Sequence, residues 1–198
     1  IYLSDDAVRW DVLRSIRTVF TVHNIEYQGR YGRETLEDLF GLPCGWYDGG
    51  TIAFSGDVNL LKGALLTSDA VTTVSPTYAQ ELKYSYYAHG MEGVMNMCDW
   101  KLHGVLNGID TLRYDPAHDR QIVQNYSVDD LSGKAACKAA LQREMGLQED
   151  PNLPIVAVVS RLVSHKGFDL ICETLDGMMD IGIQFVLLGK GDWQYEEF

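Results

Sequence analysis

The sequence predicts an α/β protein holding parts of two Rossmann-like domains, each on a parallel sheet. Three observations carry this prediction. Ile155 to Val159 is an uncharged, mostly β-branched run, the pattern of a strand buried on both faces of a parallel sheet. Strand-like and helix-like segments alternate along the chain, as in parallel α/β architectures. Residues 111–128 carry little periodicity. A linker there separates strands near 16–22, 70–74 and 103–106 from strands at 155–159 and 183–188. The expected division is 1–110 as the latter part of a first domain, 111–150 as crossover and helix, and 151–198 as the start of a second.

In chain order, Ile16 to Val22 (IRTVFTV) reads as the first strand. It delivers His23 and Asn24 to a strand end, followed by Ile25-Glu26-Tyr27-Gln28-Gly29. Ligands of open α/β sheets bind beyond such carboxyl ends. Position alone favours a satisfied loop histidine over a ligand contact for His23. Residues 30–56 are rich in Gly and aromatics, with Pro43, Trp46, Tyr47 and Phe54, and read as irregular structure, an Ω-loop or an insertion. Val58, Leu61, Ala64 and Leu65 recur at helical spacing, so a helix is expected over 57–68. Lys62 inside it either points to a site or snorkels.

Ala70 to Val74 reads as the second strand. Ser75 and Pro76 then open a helix, Ser as N-cap and Pro at its first position, running through Tyr78 and Leu82. Tyr84 to Trp100 is mixed, with His89-Gly90-Met91-Glu92-Gly93 a glycine-bracketed turn. His103 to Leu106 is a third short strand ending in Asn107-Gly108-Ile109-Asp110, again turn chemistry. Asp129 to Met145 reads as a helix capped by Asp129 or Asp130 and stopped by Gly146. A polar hinge over 150–154 leads into the strand at 155–159. Phe168, Leu170, Ile171, Leu175, Met178 and Met179 then follow helical spacing. The strand Ile183–Leu188 runs out into Gly189-Lys190-Gly191-Asp192.

The loop after 155–159 carries Arg161 and Lys166 just before a helix. Two cations beside a helix N-terminus suit an anion, most naturally a phosphate or diphosphate. The alternative is a pair of solvated loop cations.

Composition narrows the function classes. The 198 residues are 46% hydrophobic and 22% charged, which fits a globular chain. The formal charge of −12 argues against non-specific nucleic-acid binding, which relies on clustered Lys and Arg. No apolar stretch approaches the roughly 20 residues of a membrane span. Asp5 and Asp6 stand where a signal peptide would carry basic residues. Cys44, Cys98, Cys137 and Cys172 show neither zinc spacing nor a redox pair, so they read as reduced, packed thiols of a cytoplasmic protein. No metal-ligand cluster is visible. Gly189-Lys190-Gly191 lacks the third glycine of a dinucleotide fingerprint, and Ser164-His165-Lys166-Gly167 is not a Walker A loop. Nothing resembles G-x-S-x-G. Pattern alone therefore ends at an α/β protein with an anion site in its second sheet.

Four segments take the reading further: Thr21-Val22-His23-Asn24 with Tyr27-Gln28-Gly29; Val74-Ser75-Pro76-Thr77-Tyr78-Ala79; Gly104-Val105-Leu106-Asn107-Gly108-Ile109-Asp110; and Ser160-Arg161-Leu162 with Lys166-Gly167. Gly90-Met91-Glu92-Gly93 and Leu187-Leu188-Gly189 with Gly191-Asp192 also match. In order and spacing, from about residue 16 onward, the chain resembles the glycogen and starch synthase family, most of all its bacterial ADP-glucose-using type. These are glycosyltransferases of GT-B fold, with two Rossmann-like domains facing a cleft. The resemblance makes the first domain acceptor-side and the second nucleotide-sugar-binding.

The resemblance implies transfer of glucose from ADP-glucose to the non-reducing end of an α-1,4-glucan, with retention and without a metal or other cofactor. It implies that Arg161 and Lys166 contact the diphosphate and stabilise the leaving ADP, and that His23 lies beside the transferred glucose. Asn107 would be a cleft asparagine, and Gly189 and Asp192 would lie in the nucleotide-side loop. No carboxylate nucleophile at glycosidase spacing is evident, which leaves a front-face route assisted by ADP open. The family's lysine-glycine-glycine loop would precede residue 1, and its glutamate-bearing E-P-C-G-type loop would follow residue 198. The chain is thus expected to be an internal piece, inactive alone. Competing readings are a sucrose-synthase-like or other UDP-sugar enzyme of the same fold, and a non-catalytic glucan- or nucleotide-binding homologue.

Overall fold

A computed structural model describes residues 1–4 and 15–198. Asp5 and Asp6, read above against a signal peptide, lie outside the described residues. The chain divides into two compact units, 1–108 and 109–198.

The first unit begins its sheet with β1 (Val19–Val22), shorter than the predicted 16–22. Just ahead of it the Thr18 N–H is taken by the Asp69 carboxylate at 2.8 Å, while the Thr18 carbonyl still accepts from the Ala70 N–H at 3.1 Å. Next come β2 (Arg30–Tyr31), the single-turn helices α1 (Thr35–Asp38) and α2 (Gly45–Asp48), then β3 (Ala53–Phe54) and β4 (Asp57–Asn59). The segment expected to be irregular therefore holds structure. β2, β4 and β3 pair antiparallel in that order. Leu36, Leu42, Ile52 and Val58 form a buried cluster beside them. Their burial gives this glycine-rich region a core of its own.

α3 (Leu60–Thr67) starts three residues later than the spacing predicts, because 57–59 joins the ladder. Asn59 is its N-cap, its side chain accepting from the Lys62 N–H at 2.8 Å. Lys62 is a tether rather than a site: its Nζ donates to the Ala53 carbonyl at 2.7 Å. Lys101, almost fully buried, donates its ammonium to the Leu66 and Ser68 carbonyls at the other end of α3.

β5 (Ala70–Thr73) follows, then α4 (Pro76–Glu81), whose Ser75 cap accepts from the Tyr78 N–H at 2.8 Å as predicted. α5 (Ser85–Ala88) and α6 (Glu92–Met97) bracket two left-handed residues, His89 and Gly90. β6 (Leu102–Gly104) completes a parallel sheet in the order β1-β5-β6. Val22, Ile25, Leu61, Leu65, Val71, Leu82 and Met95 pack as its core.

In the second unit α7 (Gly133–Glu144) starts later than the predicted 129. Asp130 caps a turn ahead of it, accepting from the Ser132 N–H at 2.9 Å. Its end follows the prediction. Gly146 is left-handed (φ +65°), its N–H reaches the Arg143 carbonyl and that of Leu147 the Gln142 carbonyl, closing a Schellman motif. β7 (Ile155–Val159), α8 (Phe168–Asp180), β8 (Gln184–Leu188) and α9 (Trp193–Glu197) follow. β7 and β8 pair parallel from Ile155↔Gln184 to Val159↔Leu188. The expectation of a strand buried on both faces is overturned: Val159 is 76% exposed and Leu188 68%. β7 and β8 lie edge to edge in one sheet, so neither strand covers a face of the other.

No helix among the described residues is long and apolar enough to cross a membrane, and all four cysteines are free.

Candidate active site

In the first unit the site is organised by Thr73, the last residue of β5 and 1% exposed. Its hydroxyl donates to the Val22 carbonyl at 2.8 Å, and its carbonyl accepts from the Val105 N–H at 2.7 Å. Val22 immediately precedes His23, and Val105 stands two residues before Asn107. The two predicted site residues thus leave the same carboxyl edge of one parallel sheet, with β5 between their strands. Both are exposed. Beyond His23, the Asn24 side chain accepts from the Glu26 N–H at 2.9 Å. The Ile25 N–H donates to the Tyr78 hydroxyl at 3.2 Å, and Ile25 itself is buried in the core.

In the second unit the loops leaving β7 and β8 run side by side. The Ser160 N–H donates to the Leu188 carbonyl, the Leu162 N–H to the Lys190 carbonyl, and the Asp192 N–H to the Leu162 carbonyl at 2.8 Å. Leu162 and Gly191 form a further parallel bridge. Such close approach excludes side chains. A Cβ on Gly189 would stand 2.0 Å from the Ser160 carbonyl oxygen, and one on Gly191 2.1 Å from that of Leu162. Buried Leu162 and Phe168 pin the loop from below, Phe168 against the Tyr195 ring at 5.6 Å.

Lys166 ends a 3-10 turn over Ser164–Lys166, and left-handed Gly167 (φ +78°) then turns the chain into α8. Arg161, Lys166, Gly189 and Asp192 are therefore brought to one edge of the β7–β8 sheet, all exposed. Lys166, two residues before a thirteen-residue helix, and Arg161 on the same loop suit a polyanion. Gly189 has a structural reason for its identity: it lets the Arg161 loop lie against it.

Cavities among the described residues lie elsewhere. One of about 580 Å³ is bordered by Lys134, Lys138, Gln142 and Glu149, and one of about 390 Å³ by Phe54, Lys62, Gly90 and Met97. Neither is lined by a predicted site residue.

The chain is 42% identical to a glycogen synthase of Ligilactobacillus salivarius over 196 residues, which is 98% of this chain and 41% of that protein. It is 43% identical to a glycogen synthase of Streptococcus agalactiae over 99% of this chain and 41% of the relative. Over nearly its whole length the chain is similar to glycogen synthases. A family model described as the starch synthase catalytic domain matches residues 1–97. The catalytic domain of starch synthase IV from Arabidopsis thaliana, solved bound to ADP and acarbose, superposes with a TM-score of 0.90 at 35% identity. That match covers 99% of this chain and 41% of the plant chain. The parallel sheets are thus those of a GT-B glycogen and starch synthase fold, as the sequence predicted. The chain spans about 41% of the length of these synthase relatives.

Sequence reading singled out the loops at these two sheet edges but not the residues that hold them. Thr73 carries no motif signal beyond its strand position. Asn59 was hidden by a helix read as starting at 57, and Gln28 was a motif letter without a role.

Proposed function

We propose that the protein transfers glucose from ADP-glucose to the non-reducing end of an α-1,4-glucan, retaining the anomeric configuration. The observation that carries this is the pairing of Arg161 and Lys166 on the loop leaving β7, at the edge where the β8 loop lies against it. Arg161 and Lys166 bind the diphosphate. As the bond between glucose and phosphate lengthens, negative charge grows on the leaving ADP, and the two fixed cations neutralise it. His23 lies beside the transferred glucose, and Asn107 is a cleft asparagine that takes part in donor binding. Gly189 and Asp192 form the nucleotide-side loop. Support for ADP comes from the plant neighbour solved with it, and support for glucan from the relatives named glycogen synthases. Four free thiols agree with a cytosolic location.

The test is glucose incorporation into glycogen by the full-length protein, with ADP-glucose and UDP-glucose compared side by side. Strong incorporation from ADP-glucose is expected. Preference for UDP-glucose would overturn the donor assignment, and no transfer from either by folded protein would overturn the activity.

A further inference from the structure

We infer that Gln28 and Asn59 are positioning residues for His23: a buried amide pair that fixes the far end of the loop on which the histidine stands. The inference rests on the reading above that His23 lies beside the transferred glucose.

The imidazole of His23 makes no hydrogen bond among the described residues, so its place is inherited from its backbone. That backbone is fixed at three points. Its root is held by Thr73 on Val22, and its middle by the Tyr78 hydroxyl on the Ile25 N–H. Its far end is held by Gln28, 8% exposed. The Gln28 Oε1 accepts from Asn59 Nδ2 at 2.9 Å, and its Nε2 donates to the His89 carbonyl at 3.1 Å. Asn59 is fully buried and caps α3 with its other side-chain atom. The carbonyls of Gln28 and Gly29 accept from the Leu61 and Leu60 N–H groups, both at 3.0 Å. The loop therefore ends on the first turn of α3 through two backbone bonds and one amide pair.

The same amide grips a strained segment. His89 is left-handed (φ 48°, ψ 40°) and is followed by left-handed Gly90. A non-glycine residue persists there only where its surroundings hold it. Stability alone does not call for this arrangement, since buried hydrogen-bonding partners replaced together by apolar groups of like shape are often neutral. A fully satisfied buried network instead specifies one geometry. Here that geometry joins the loops 23–29 and 89–93 to α3.

The experiment is a double-mutant cycle in the full-length enzyme, assayed with ADP-glucose and glycogen. Gln28→Met removes both amide contacts at nearly constant size. It is expected to lower kcat by about tenfold or more, a displacement effect, while KM for ADP-glucose moves by less than about twofold. In a His23→Ala background the same substitution is expected to change kcat by less than about twofold, because its route of action is gone. Equal fold-losses in both backgrounds overturn the proposal. Wild-type turnover in His23→Ala alone overturns instead the reading of His23 on which it rests. If Gln28→Met does not fold, as judged by thermal melting, Gln28→Glu takes its place in the same cycle. It keeps the acceptor for Asn59 and loses the donor to His89, and the same two outcomes decide.

Discussion

Lys166 stands at an exposed turn, with no side-chain hydrogen bond or ion pair among the described residues. A cation in that setting contributes little to folding, so its removal reports on chemistry. Lys166→Ala in the full-length protein is expected to lower kcat by about 10²-fold or more, the scale of one lost charge-stabilising contact. The melting temperature should barely move, and unfolding of the variant would make Lys166 structural. Asp69 is the opposite case. Its carboxylate accepts from the Thr18 N–H, the Arg17 guanidinium and the Thr18 hydroxyl, which hold its pKa at about 2 against an ordinary 3.8. A depressed carboxylate stabilises the fold fully above its unfolded value and loses that contribution as pH falls through its folded value. Urea midpoints of the wild type and Asp69→Asn should therefore differ above about pH 4 and converge as pH approaches 2. A gap that persists at pH 2 would show that Asp69 acts by geometry and not by charge.

Among the elements, the parallel loops after β7 and β8 have the least room for change. Gly189→Ala forces a Cβ to within 2.0 Å of a backbone oxygen, so the chain itself must shift. The expected loss is about 1–3 kcal/mol in denaturant unfolding of the second unit, read by the fluorescence of Trp193, with a fall in turnover because the Arg161 loop is displaced. An unchanged midpoint would mean that the two loops part readily. Element boundaries show where sequence is a weak guide. The end of α7 was legible because Gly146 is the residue that a left-handed stop calls for. Its start was not, because two aspartates and a serine compete to cap, and Asp130 is spent on a turn. α3 was misread by three residues because Val58 fits a helical stripe and a strand ladder alike, and only pairing with β2 and β3 decides.

At the scale of the whole molecule, the parallel α/β character was legible from strand–helix alternation, a local signal. Two features were not. The small antiparallel sheet depends on contacts between segments such as Arg30 and Asn59 that are distant in sequence and individually two or three residues long. The exposure of β7 and β8 depends on what covers them, which no apolar run encodes. The candidate site divides in the same way. His23, Asn107, Arg161 and Lys166 stood out because family motifs mark loops at strand ends. Thr73, Gln28 and Asn59 stayed silent because they act through contacts across the fold. Thr73 carries a consequence for motion. One side chain and one carbonyl tie down the roots of both the His23 and Asn107 loops. Loop motions in proteins run from nanoseconds to microseconds. Here they begin beyond a shared pivot, so the two residues cannot drift apart at their bases, and whatever freedom they have is that of two arms hinged on one post.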